Sequence, residues 1–495
     1  MKLRRYMMSA LMAGALFSTG CDGYLDYEPN NDKQLEEDIL VSEENLVKIL
    51  NGAYSNLAGG EFLGGRTQHL SELLADNVNG SALIEGERGV YTRNTDIFDG
   101  FKNDAYTKGY KAIRNANLVL ENLDLVGLPG NPENPESVEE INKRKIAFEA
   151  EARFIRAIAH FELVRLWGKP YVASSADADL GIPYRLSSDP TIAPVRETVA
   201  QVYSNVLADL KFAEALSDNN DRQGQTRWAD KWAAKGYQAK VYFQMNDFEN
   251  ALKYADDVLK NSGATFDERP DYILHRFDEK AVSEEIFGIV SLGTNNDNGG
   301  ELRGKYYFDE KVITHYPMAE GLAKVAVDKT DRRMLSYDNG ETNEGILALA
   351  KFKSIKYDID GDGTLESELK KTYMQVPLLH YTQLLLTKAE SAAELGQLDV
   401  AGTALTKVLD RAYTSGKIAP ITKKALIDEI RLQRRLELVG EGDRIHQIKR
   451  IGAKGEASFA RGASWNCPGL SIQFPKSEID SNRGNFRANE EGGCN

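Results

Sequence analysis

The residues best suited to chemistry in this chain of 495 amino acids lie close together: Asp358, Asp360, Asp362, Thr364 and Glu366 alternate with Ile359, Gly361, Gly363 and Leu365. A hard cation such as calcium takes several oxygen ligands. An alternating run of carboxylates supplies them, with a glycine at the sixth position for the sharp turn and an apolar eighth residue. The twelfth position, where an EF-hand places a bidentate glutamate, is Leu369, and Glu368 stands one place early. Helices of the EF-hand kind are missing on both sides. The stretch fits two readings, a stand-alone loop holding a structural calcium or a solvated Asp/Gly turn between strands.

Elsewhere the signals for catalysis are absent. The six histidines, His69, His160, His275, His315, His380 and His446, show no metal-ligand spacing. There is no Gly-x-Ser-x-Gly, phosphate loop or dinucleotide fingerprint. A glycosidase carboxylate pair needs no sequence proximity, but nothing points to one. Recognition chemistry is better represented. An aromatic plane offers a C–H-binding face to a sugar, while Asn, Asp and Arg satisfy its hydroxyls. Tyr306 and Tyr307 follow a Gly-rich loop beside Arg303, Trp465 precedes Cys467, and Asn77 sits in the polar turn cluster 76–80. These five are the candidate ligand contacts, although one ring in and one ring out on a strand edge explains Tyr306 and Tyr307 equally well. Trp167, Trp228 and Trp232 lie in helical patterns and are assigned to the core.

The N-terminus reads as an export signal. Lys2, Arg4 and Arg5 precede an apolar run from 7 to 17, too short to span a bilayer, and Ser18, Thr19 and Gly20 lead into Cys21. A cysteine directly after small residues fits a lipobox, with Cys21 the acylated residue; several acyl chains there would hold a soluble body on a membrane. That leaves Cys467 and Cys494, which an exported chain favours pairing as a disulfide over two free thiols. The formal net charge of −14 carries no basic footprint and argues against a nucleic-acid partner.

The elements that must position these residues are mostly helices. The stretches 232–261 and 379–413 each read as an apolar helix, a short break and a second amphipathic helix, and they align without a gap. Phe248 matches Leu398, Ala251 matches Ala401, Val258 matches Val408 and Leu259 matches Leu409. Small residues at a helix seam with Gly or Asn-Asp at the turn resemble a tetratricopeptide-type hairpin. Further helices are expected over 42–57, 70–77, 104–123, 138–167 and 195–216, the fourth burying one face through Phe148, Ala152, Ile155, Ala159 and Leu163. Between the repeats, from about 265 to 376, the texture becomes loop-rich, with β-leaning stretches at 286–292 and 351–359. Binding residues gather on loops held by a rigid scaffold, so this lobe is the expected ligand site. The predicted fold is a mostly α, tetratricopeptide-like repeat scaffold with an inserted loop-rich lobe containing a few short strands. Its parts are a signal over 1–20, a tether over 21–41 and one domain over 42–495, the scaffold taking about 42–264 and 377–452 and the tail 453–495.

At the C-terminal end, Ile430 to Gly452 reads as a salt-bridged helical hairpin broken at Gly440-Glu441-Gly442. Here the chain resembles the SusD/RagB family of bacterial glycan-capture lipoproteins. The matching residues are Arg434-Arg435-x-Glu437-Leu438, Glu441-Gly442-x-Arg444 and Lys449-Arg450. Tyr381 through Ala393 with Leu395-Gly396, and Pro475-Lys476-Ser477-Glu478-Ile479 with Asn482, match as well. Near the start, Cys21-Asp22-Gly23-Tyr24-Leu25-Asp26 with Pro29, and Asn51-Gly52-Ala53-Tyr54, fit the family's opening. Gln433, Gly440 and Ile445 depart from the family's acid and two aromatics. The resemblance implies outer-membrane anchoring facing outward, capture of oligosaccharides without catalysis, and partnership with a SusC-like TonB-dependent transporter. It carries over no sugar-contacting motif. A binder of peptides or other nutrients on the same scaffold, or an all-α glycoside hydrolase, are the rival readings.

Overall fold

Two turns set the geometry of the scaffold. In the computed structural model, Asn246 and Gly396, aligned in the two repeats, both take left-handed backbone conformations, at φ 61° and 79°. Glycine reaches that region without steric cost, and asparagine is the residue that tolerates it next best. Each turn closes one helix and starts the next antiparallel to it. The structure describes residues 40–131, 135–217, 227–277, 282–290, 375–482 and 485–494, with short stretches between 302 and 367.

In chain order the first helices are α1 (Glu43–Ala58), α2 (Arg66–Leu74), α3 (Glu85–Tyr91), α4 (Gly100–Glu121), α5 (Val138–Trp167) and α6 (Val199–Ala213). The first repeat is α7 (Lys231–Gln244) and α8 (Phe248–Asn261). The lobe follows with α9 (Tyr272–His275), β1 (Glu285–Val290), α10 (Glu320–Ala326), β2 (Ser336–Asp338), β3 (Leu347–Leu349), β4 (Lys356–Tyr357) and β5 (Glu366–Ser367). Then β6 (Gln375–His380) runs straight into the second repeat, α11 (Tyr381–Glu394) and α12 (Leu398–Ala412). The chain closes with α13 (Lys423–Glu437), α14 (Arg444–Ala453), the hairpin β7 (Phe459–Ala460) and β8 (Ala463–Ser464), and α15 (Lys476–Ser481).

Consecutive scaffold helices pack on one another: α4 on α5, α5 on α6, α6 on α7, α7 on α8, α11 on α12 and α12 on α13. The lobe does not break this order, because α8 packs directly on α11. The fold is the mostly helical, tetratricopeptide-like array with a strand-bearing insertion that the repeat pattern predicts. Ala251, Ala255 and Val258 of α8 and Ala401, Leu405 and Val408 of α12 are all buried, so the small residues do stand where helices approach closely. The helix starts are capped by side chains. Ser137 with Glu140 and Thr198 with Gln201 form reciprocal capping boxes, and Asp230 and Asp247 accept from the first-turn N–H groups of Ala233 and Asn250.

One helix differs from its sequence reading. α5 buries every residue from Phe154 to Trp167 rather than one face, because α1, α2, α4, α6 and α7 surround it. Its polar residues there are consumed inside the fold: Arg156 pairs with Asp209 at 2.7 Å, and Glu162 pairs with Lys240 at 3.0 Å. The β-leaning stretch 286–292 appears as β1, which pairs antiparallel with β6, and the two bridge the lobe to the start of α11.

Candidate ligand-binding face and its supporting core

The turn cluster after α2 is where a sequence-chosen ligand residue meets the lobe. Asn79 N–H donates to Pro317 O and Ala319 N–H to Asn77 O, both at 2.8 Å, so 77–79 and 317–319 form a short antiparallel join. Asn77 itself is a correction to the ligand reading. It is 1 % exposed, donates through Nδ2 to Glu72 Oε2 at 2.8 Å and accepts from Arg435 Nε at 2.9 Å. Its amide is consumed in holding the turn. The second Glu72 oxygen accepts from the N–H groups of Gly440 and Gly442, both glycines having φ 78°. Burial pushes the Glu72 carboxyl up to about 7 against these donated hydrogen bonds. Asp76 beside it takes Arg444 at 2.7 Å.

Tyr306 is also corrected. It is fully buried, its ring 5.8 Å from His69 and 5.4 Å from Tyr316, centroid to centroid, and so belongs to an aromatic cluster under the lobe rather than to a surface. Trp465 is half-buried on the core, its ring seated on Gly452, where an added Cβ would meet the indole at 2.0 Å. Arg303, Tyr307 and Cys21 lie outside the described residues, as do Asp358, Asp360, Asp362 and Thr364; Glu366 falls in β5, but its side chain is not described. Cys467 and Cys494 are joined by a disulfide with Cα atoms 5.7 Å apart. Among the described residues the exposed aromatic rings are Phe98, 71 % exposed, and Phe459, 57 % exposed. Sequence reasoning passed over both. Phe98 lies in a turn where Asp96 accepts from the Phe98 and Asp99 N–H groups, and its place between two aspartates was the available signal.

The lobe is fixed to the scaffold by a buried ionic core that the local sequence reveals only in part. Glu437, at the end of α13, is fully buried and meets Arg276 at 3.2 Å and Arg333 and Arg411 at 3.3 Å each. Tyr272 donates its hydroxyl to the same carboxylate. Glu441, in the turn between α13 and α14, takes Lys351 at 2.7 Å and Arg276 at 3.3 Å. Glu284 takes Arg411 and the Thr382 hydroxyl, and Asp331 holds Arg333 at 2.6 Å. Four carboxylates thus face four cations. Burial raises Glu437, but Arg411, Arg333 and Arg276 overcome it and hold the carboxyl at about 2. His380 ties the set to α11: its Nδ1 accepts from Gln383 N–H at 3.3 Å, which places the proton on Nε2, 3.1 Å from Glu441. Arg276, Glu284, Arg333 and Lys351 come from the lobe, and Arg411, Glu437 and Glu441 from the scaffold. Each of these carboxylates has at least one cationic partner.

A family profile described as "Starch-binding associating with outer membrane" matches residues 23–243, and the profile of the SusD family matches residues 166–490. The chain belongs to the SusD/RagB family. Within it, the chain is 26 % identical over 499 residues to SusD-like protein P2 of Formosa agariphila, covering 90 % of this chain and 89 % of that protein. A SusD superfamily crystal structure from Bacteroides thetaiotaomicron superposes with a TM-score of 0.74 at 24 % identity, covering 91 % of this chain and all of that one (100 %). Surface glycan-binding protein A of Bacteroides uniformis superposes with a TM-score of 0.69 at 18 % identity, over 90 % of this chain and 99 % of that one. These two likenesses are of the SusD fold. The turn at Gly440–Gly442 and two carboxylates of the ionic core, Glu437 and Glu441, fall within Arg434 to Arg444, one of the stretches that carry the SusD/RagB resemblance.

Proposed function

We propose that this protein captures oligosaccharides at the bacterial cell surface and passes them, uncleaved, to a SusC-like TonB-dependent transporter in the outer membrane, held there by lipid on Cys21. The observation that carries this reading is the family match running from residue 23 to residue 490. The glycan-binding description of the Bacteroides uniformis neighbour supports it. So does the architecture, in which a rigid helical array holds a loop-rich lobe by a charge-matched root, the arrangement that suits loops meant to recognise rather than react. Phe98 and Phe459 are the described rings free to stack on a sugar face.

Calorimetry of the chain from residue 22 onward against host and plant oligosaccharides tests the reading, with chromatography of the sugars afterwards. Saturable binding with intact sugar is expected, weakened in the Phe98→Ala/Phe459→Ala double variant. Shortened sugars would overturn the non-catalytic reading, and binding of peptides in place of sugars would overturn the ligand class. We also read 358–366 as a structural calcium loop. Chelation should then lower the melting temperature of the wild type and leave Asp360→Asn/Asp362→Asn unaffected; no effect on either favours the solvated turn.

A further inference from the structure

Away from the lobe, α4 faces the segment 183–190 and the start of α15 across a cleft of about 320 Å³. That is the small end of the range ligand pockets occupy. The interior cavity beneath Glu441 and His446, about 40 Å³, is water-sized by comparison.

The cleft walls are fixed by a dedicated set of hydrogen bonds. Tyr110, Arg114, Asn117 and Glu121 form one stripe of α4 at helical spacing. Tyr110 Oη donates to Pro183 O at 2.7 Å and Arg114 Nε to Ser188 O at 3.2 Å. Asn117 Nδ2 donates to Arg185 O at 3.0 Å and Ser187 O at 3.2 Å. Glu121 accepts from Ser187 Oγ and Ser188 N–H, both at 2.9 Å. From α5, His160 Nε2 accepts from Arg185 N–H at 3.1 Å, and on the far side Asn482 Nδ2 donates to Pro194 O at 2.7 Å. A segment held this way is ordered before any ligand arrives, which lowers the entropy cost of binding.

Inside, the rings of Tyr106 and Tyr110, 4.6 Å apart between centroids, and Ile113 make an apolar floor. Tyr106 is 3 % exposed. Its Oη faces Glu478, whose Oε1 also meets Arg185, neither contact being a well-formed hydrogen bond among the described residues. Burial raises the Glu478 carboxyl above its ordinary range, with Arg185 opposing. The charged lining nearly balances, Lys111, Arg114 and Arg185 against Asp189 and Glu478, and Arg185 already stands 3.5 Å from Glu478. An aromatic floor, a loosely paired Tyr106–Glu478–Arg185 set and serine hydroxyls at the rim suit hydroxyl groups around an apolar ring face. A free anion would meet the inward carboxylate of Glu478.

We propose that this cleft is a second binding site, taking a short neutral saccharide of one or two rings, with a ring face on Tyr110 and hydroxyls on Tyr106 Oη and Glu478 Oε1. None of its lining comes from 265–376, so the site is independent of the lobe face and of the function argued above.

The test is titration of the chain from residue 22 onward with maltose, cellobiose and laminaribiose by saturation-transfer NMR, alongside two variants. Saturable binding with a Kd on the order of 1 mM is expected for at least one disaccharide. Ser477→Trp, at an exposed position on the rim, should abolish it while the melting temperature stays put. Glu478→Gln should weaken it by about fivefold through the lost carboxylate acceptor. No saturable binding, binding that both variants leave unchanged, or displacement by glucuronate in preference to the neutral sugars would each overturn the proposal. Long-oligosaccharide affinity measured in parallel separates the two sites. Its absence in the wild type counts against the lobe reading, and its retention in Ser477→Trp with loss of disaccharide binding places the two sugars apart.

Discussion

Asn77 illustrates how a residue type suited to ligand contact can be claimed by the fold. Its amide links Glu72 to Arg435 in a site closed to solvent. Asn77→Ala should therefore destabilise the protein by about 1–3 kcal/mol, the cost of leaving buried partners unsatisfied, with oligosaccharide affinity in calorimetry unchanged. Glu437 is the more sensitive position. Removing it as Glu437→Gln leaves Arg276, Arg333 and Arg411 short of a counter-charge, and urea unfolding should show a loss of about 3–5 kcal/mol. The pH dependence has a defined sign. The folded Glu437 carboxyl at about 2 lies below its ordinary 4.5, so the stability it contributes is present above 4.5 and lost as pH falls toward 2. His160, buried and neutral, is held at about 3 against an ordinary 6.5. Acid therefore protonates the unfolded chain first, and stability declines from 6.5 downward. Glu72, raised to about 7, works the other way and lowers stability as pH rises from 4.5. Between pH 6.5 and 4.5 the His160 and Glu72 contributions oppose each other and nearly cancel, so urea midpoints should fall chiefly on acidification below pH 4.5, and a midpoint flat from pH 4.5 to 3 would contradict the assignment.

At the scale of elements, the two repeat turns share a backbone shape and differ in their side-chain duties. Nothing lies within 4 Å of where a Cβ at Gly396 would stand, so Gly396→Ala should cost only the left-handed backbone penalty, about 1–2 kcal/mol. Asn246 donates through Nδ2 to Arg450 O at 3.0 Å and accepts from Arg450 Nη1 at 2.9 Å. Asn246→Gly should therefore destabilise despite its easier backbone, by about 1–2 kcal/mol, while Gly396→Asn should be close to neutral. Thermal melts of the three variants separate backbone from tether. Both hairpins were legible in the sequence because their apolar spacing and turn residues are local. The way α5 is buried on all sides was not, since that depends on five other helices closing around it.

For the whole molecule, the tail beyond α14 is held by packing as well as by its disulfide. Ile472 N–H donates to Leu166 O at 2.9 Å, and Asn489 Nδ2 donates to both Trp167 O and Ile472 O at 2.8 Å. Cys467→Ser/Cys494→Ser should lower stability by up to about 3 kcal/mol, the loop-closure contribution for a separation of 27 residues. Oligosaccharide binding should persist, because these contacts keep the tail in place. A loss of binding together with the disulfide would mean that the tail orders the ligand face.

By itself the sequence determined the helical class, the repeated hairpin, the inserted lobe and the family, all of which rest on periodicity and on motifs contiguous along the chain. It did not determine which polar residues face solvent. Asn77 and Tyr306 were read as ligand contacts from type and loop position, and the tertiary structure placed both inside. Arg276, Glu284, Arg333, Lys351, Arg411, Glu437 and Glu441 lie up to 165 residues apart in the chain, and each alone looks like a solvated surface charge. Their pairing was decided only when the lobe folded back onto α11 to α13. A buried charge is costly unless an opposite charge or hydrogen-bond partners meet it, and that meeting is a property of three-dimensional distance, which no local pattern encodes.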